Sequence, residues 1–177
     1  MRALTLKTHN KAFALVLETL RASGRYFVSW RVINCLDFGL PQSRPRIYIV
    51  GLRRDAVDAS AGAGFHWPKK KGLAPLPLMR FLCGGPGVLK TQPPRDSTAG
   101  CQLREGMKTI NDRGGNPSTE PWAVDCNSGR EPQCTLGHVP CITRNRAGNG
   151  GHWVTQIGRF LTVEEMLNLQ GLPVSFR

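Results

Sequence analysis

No apolar run in these 177 residues approaches the roughly 20 needed to span a bilayer. The opening Met1-Arg2-Ala3-Leu4-Thr5-Leu6-Lys7 is basic, but no apolar core follows it, so no secretory signal is expected. Acidic residues are scarce, 12 Asp plus Glu against 24 Lys plus Arg, which leaves a formal charge of +12. Such an excess favours a polyanionic partner, most simply nucleic acid. A tight Cys-x2–4-Cys knuckle is also missing around Cys126, Cys134, His138 and Cys141, which argues against structural zinc. Together these absences predict an intracellular, reducing setting with the six cysteines as free thiols. Gly62-Ala63-Gly64 and Gly148-Asn149-Gly150-Gly151 neither follow a strand nor open a helix, so neither reads as a nucleotide cradle.

What is present is unevenly spread. The 20 Gly and 13 Pro crowd between Ala61 and Gly151, which predicts a folded but loop-dominated middle. Trp67, Phe81, Trp122 and Trp153 offer it a small core. Before it, residues 11–22 read as a helix, with Phe13, Val16, Leu17 and Leu20 as an apolar stripe, Asn10 as N-cap and Gly24 as a left-handed stop. Residues 25–34 and 46–52 read as strands, joined by too few residues for a helical crossover and therefore antiparallel. Two near-continuous apolar strands expect cover on both faces, more than a three-turn helix supplies. This segment therefore reads as the edge of a larger α/β sheet. Residues 111–117 read as turn or loop, and residues 142–146 as a strand returning from the middle region. Residues 162–170 read as a helix opened by a Thr162/Glu165 capping box, with Leu161 and Met166 as its staple, and closed by Gly171 and Pro173.

The candidate site lies in the turn between the two strands. If the chain is extended from Pro41 onward, Gln42, Arg44 and Arg46 point to one side, an amide beside two guanidiniums. Guanidiniums present a rigid fork of donors suited to phosphates and base edges. Arg144, Arg146, Lys69, Lys70, Lys71 and Arg80 are further candidate phosphate contacts. Pro140-Cys141 does not read as a nucleophile, since no general acid stands beside it.

The segment Asn34-Cys35-Leu36-Asp37-Phe38-Gly39-Leu40-Pro41-Gln42, running into Arg44 and Arg46, resembles the Gln-x-Arg-x-Arg motif of the DNA cytosine-5 methyltransferases. Arg159, Leu161, Thr162, Glu165, Leu169, Gln170, Gly171 and Pro173 are similar to a second motif of that family, in the family's order. Asn168 stands where the family often has Arg. The family's Phe-x-Gly-x-Gly donor loop, its Pro-Cys-Gln nucleophile, its Glu-Asn-Val and its terminal Gly-Asn-x-Val are not in these 177 residues.

The resemblance implies an incomplete edge of a Rossmann-like sheet in residues 1–56. It implies a loop-rich, mostly β target-recognition region over 57–158, and a return helix over 159–177. It implies DNA as substrate and S-adenosylmethionine as methyl donor. The donor's binding loop and the catalytic Cys would lie in a missing N-terminal catalytic part, leaving this chain inactive alone. Arg46, supported by Arg44, would stabilise an extruded cytosine; Arg144, Arg146 and Arg159 would contact DNA, and Gln42 would help hold the loop or the DNA backbone. The compartment implied is the nucleus of a eukaryote, or the cytoplasm and nucleoid of a bacterium. A stand-alone basic DNA-binding module or regulatory subunit derived from such an enzyme is the alternative.

Overall fold

The computed structural model describes residues 10–57, 65–70, 72, 74–83, 92–127, 131–144 and 151–173. It is a mixed α/β chain with few helices and antiparallel sheets. It divides into two compact units, Met1–Asn34 with Pro45–Gly72, and Cys35–Arg44 with Leu73–Arg177. This division differs from the three consecutive segments expected. Residues 35–44 leave the hairpin's unit, and the C-terminal helix shares a unit with the middle region.

In the first unit, helix α1 (Asn10–Ala22) precedes strands β1 (Tyr26–Asn34) and β2 (Pro45–Arg53). The strands pair antiparallel over their full length, with Trp30 opposite Ile49 and Ile33 opposite Arg46. Gly24 adopts the expected left-handed conformation, φ +64°, with its N–H on the Arg21 carbonyl. The expected cap at Asn10 concerns a side chain outside the described residues, and the helix itself begins at Asn10. Phe13 and Leu17 are buried, and Phe13 meets Trp30 edge-on at 4.8 Å. On the other face Trp67 donates to Ser29 Oγ at 2.8 Å, and Arg31 lies 5.8 Å from the Trp67 ring centroid. Neither strand holds a fully buried residue, and Trp30, Val32, Tyr48 and Ile49 remain exposed.

The second unit is more regular than its composition suggests. A four-stranded antiparallel sheet runs in the order β4-β3-β5-β6, built from β3 (Trp122–Asp125), β4 (Gln133–Leu136), β5 (His152–Val154) and β6 (Arg159–Phe160). Alternation along β3 sends Val124 to one face and Ala123 to the other. Val124 packs with Cys126, Cys134, Trp153 and Ile110, the last from helix α2 (Thr98–Asp112). Ala123 packs with Val154, Val139, Leu161 and Leu78, and with Met166 and Leu169 of helix α3 (Val163–Leu169). The sheet is thus covered on both faces, and β3 is its buried centre.

Three expectations are corrected here. Helix α2 was not anticipated, and Asn111 and Asp112, read as loop, are its last residues. Residues 141–144 do not form the returning strand, and the strand that follows this region is β5. Of the four aromatics read as one core, Trp67 belongs to the first unit, while Trp153, Trp122 and Phe81 pack in the second. Helix α3 forms as expected, with a complete capping box between Thr162 and Glu165. Gly171 at φ +78° and the Leu172 N–H on the Leu167 carbonyl close it. All six cysteines are free thiols.

Candidate functional site

The turn after β1 is a short 3₁₀ segment, Cys35–Phe38, followed by Gly39 at φ +93°. Extended pairing of β2 starts only at Pro45, so the three residues expected on one side do not share a strand. Gln42 instead forms an isolated parallel bridge with Val139. Ser43 N–H reaches the Val139 carbonyl, and Val139 N–H reaches the Pro41 carbonyl, each at 2.8 Å. This clamp turns Gln42 inward, to 0% exposure, and neither polar atom of its carboxamide meets a hydrogen-bond partner among the described residues. The Gln42 side chain thus faces the inside of the turn.

Arg44 is half-buried, and its Nη1 donates to Gln170 Oε1 at the end of α3. Arg46 is also half-buried, on β2, with Nη1 on the Pro45 carbonyl at 2.9 Å. The boundary between the two units falls between them, so each is described within its own.

Arg159, expected to meet DNA, is 5% exposed. Its two terminal nitrogens donate to the two carboxylate oxygens of Glu165 at 2.8 and 2.7 Å. Glu165 is wholly buried and also accepts from the backbone N–H groups of Thr162 and Cys83, each at 2.9 Å. Burial pushes the Glu165 carboxyl up, but the Arg159 hydrogen bonds and charge and these N–H donors outweigh it and hold the group below its ordinary range. The same hydrogen bonds raise Arg159. The pair ties β6, α3 and the segment around Cys83 together. Arg144, Lys69, Lys70 and Arg80 are exposed, while Arg146 and Lys71 lie outside the described residues.

Cys141 is half-buried, with Sγ near the Ile142 carbonyl at 3.7 Å. Burial, with the nearby Asp125 charge, pushes the Cys126 thiol up to about 12, and burial raises Cys134 as well. Neither favours the thiolate. Among the described residues no group of three or more His, Cys, Asp or Glu is placed to hold a metal ion. Sequence reasoning overlooked Gln170 as a site residue. Its only signal was its place at the end of the helix motif.

A third cluster lies at the far end of the hairpin from Arg46, where Tyr26 pairs with Arg53. Arg25, Tyr26, Arg53, Arg54 and Asp55 line an open hollow of about 480 Å³. Arg53 is paired with Asp55, and Arg54 lies 4.1 Å from the Phe27 ring centroid.

The family model for C-5 cytosine-specific DNA methylase matches residues 1–177. The type II methyltransferase M.NgoBI of Neisseria gonorrhoeae is 32% identical over 177 residues, covering 99% of this chain and 49% of that protein. The type II methyltransferase M.NlaIV of Neisseria lactamica is 48% identical over 50 residues, 28% of this chain and 12% of that protein. The chain thus spans about half the length of M.NgoBI. No solved structure matches it. With the family model running its full length and the Arg44 and Arg159 motifs in the family's order, the chain belongs to the C-5 cytosine-specific DNA methylase family.

Proposed function

We propose that this chain is the DNA-contacting C-terminal part of a methyltransferase that moves a methyl group from S-adenosylmethionine to C5 of cytosine in DNA. The observation that carries the reading is the Gln42-to-Arg46 turn, with Arg44 and Arg46 at half-exposed positions inside a family match. Residues 1–56 would be the end of the catalytic sheet, 57–158 the target-recognition region and 159–177 the return. The exposed Trp30, Val32, Tyr48 and Ile49 support a Rossmann-like sheet edge that awaits cover.

Methylation at C5 requires the base out of the duplex, a thiolate at C6 and an acid at N3. Negative charge then builds on the ring. Arg46 would stabilise it at the base O2, with Arg44 holding the adjacent phosphate. Arg144, Lys69, Lys70 and Arg80 are exposed candidates for further phosphate contacts. Gln42 and Arg159 would act from inside, by holding the turn and α3.

On this reading the described residues hold no methyl-donor site. The N-terminus of α2 is closed by Ser97, whose Oγ accepts from Gly100 N–H at 3.1 Å, and that of α3 by Thr162. No Pro-Cys-Gln occurs in the 177 residues. Donor binding and the nucleophile would come from polypeptide outside them. Incubating the 177-residue protein with duplex DNA and radiolabelled donor should leave the DNA unlabelled. Label in DNA that disappears in Arg46→Ala would overturn this part of the reading.

A further inference from the structure

We infer that the hollow at the Arg53 end of the hairpin binds a phosphate group between the guanidiniums of Arg25 and Arg54. Beyond the last residues of β1 and β2 the pairing runs one step further, with the Arg54 N–H on the Arg25 carbonyl at 3.0 Å. Arg25 and Arg54 are therefore cross-strand neighbours on one face, with Cβ atoms about 5 Å apart. Like charges placed opposite each other repel, so this arrangement is costly unless an anion lies between them. The carboxylate that lines the hollow, Asp55, is engaged elsewhere. Its oxygens accept from Arg53 Nε at 3.0 Å and Nη2 at 2.5 Å. Among the described residues no carboxylate pairs with Arg25 or Arg54. Arg54 is also positioned in advance. Its guanidinium carbon lies 4.1 Å from the centroid of the Phe27 ring, two residues along on the same face. A ring against the flat side of a guanidinium fixes its place and leaves its N–H edge able to donate.

The ligand's chemistry follows from the two forks. Two guanidiniums converging on one anion offer more donors than the two oxygens of a carboxylate can accept, whereas a phosphate group presents three or four oxygens. The hollow, open and about 480 Å³, has room for a group carried on that phosphate. Arg46 stands eight positions back along the chain, about 26 Å away in extended backbone, so the hollow is distinct from the proposed base contact. The inference stands apart from the reading of Arg46.

The test titrates the 177-residue protein with inorganic phosphate at low salt, followed by the arginine Nε–H signals in ¹⁵N spectra. Arg25 and Arg54 should move together along one saturating curve. Arg54→Ala should weaken the binding seen at Arg25 about tenfold or more, and Arg25→Ala should do the same at Arg54. Asp55→Asn, which removes the nearby negative charge, should tighten it about two- to fivefold. All three side chains are exposed, so these substitutions leave the fold in place. A second arm measures affinity for duplex DNA against salt. A slope of log affinity against log salt reduced by about one in the Arg25→Ala/Arg54→Ala protein, with or without saturation by free phosphate, identifies a polynucleotide backbone as the source of the phosphate. An unchanged slope beside saturable phosphate binding identifies a small phosphate-bearing molecule. Two results would overturn the site. One is saturation that survives both alanine substitutions. The other is an unchanged DNA slope with phosphate shifts that stay linear or are equally large at Arg113, an exposed arginine of the other unit.

Discussion

Arg159 shows how little a residue's type says about its task. Its guanidinium and the Glu165 carboxylate are almost wholly withdrawn from water, and each satisfies the other. Breaking such a pair leaves one buried charge uncompensated, so Glu165→Ala should cost about 3–5 kcal/mol in urea unfolding. Replacing both partners by apolar residues of similar size should cost much less. Because the Glu165 carboxyl sits below its ordinary value of 4.5, its contribution is complete above that pH. It drains away as acid takes the solution through the lower folded value. Unfolding midpoints measured from about pH 6 down to 3 should therefore fall more steeply for the wild type than for Glu165→Gln. On the proposed reading Arg44 is a guanidinium that meets DNA. In folded variants, Arg44→Ala should reduce the slope of log affinity for DNA against log salt by about one, and Arg159→Met should leave the slope alone.

At the scale of elements, the helices divide into those a sequence announces and one that it hides. Helix α3 carries its own punctuation, a capping box before it and a left-handed glycine after it, and both act locally. Helix α2 has glycines at 100 and 106, which read as breakers. Contact explains them. A Cβ on Gly106 would lie 2.5 Å from Val124 Cγ1, and one on Gly100 would lie 2.2 Å from the Pro94 carbonyl oxygen. The helix approaches β3 and the preceding loop so closely that no side chain fits. Gly106→Ala should thus destabilise by about 1–3 kcal/mol in spite of alanine's better helix propensity. Gly114→Ala should also destabilise, by about 1–2 kcal/mol, because φ there is +76° and nothing crowds the Cβ. Thermal unfolding of the two variants, with their structures checked for a shift of α2, separates crowding from backbone strain.

For the molecule as a whole, the two units differ in how fully they bury their sheets. In the second, β3 and β5 hold residues with almost no exposure, between α2 on one face and α3 on the other. In the first, the hairpin has one short helix and the Trp67 side chain for cover, and large apolar side chains stay in water. Native-state hydrogen exchange should find the amides of β3 and β5 slowest and those of β1 and β2 markedly faster. No helix among the described residues is long and apolar enough to cross a membrane.

The strand pair, α1 with its closing glycine, α3 with its capping box and the two family motifs were all legible in the sequence, because each depends on neighbours a few residues apart. The order of the second sheet, the helix that covers it and the inward turn of Gln42 and Arg159 were not. Those depend on what lies opposite in space: a valine that demands a glycine, a carboxylate that claims a guanidinium, a distant carbonyl that clamps a turn. Periodicity along the chain carries no record of such partners, and only the packed tertiary structure decided which arginines stay inside.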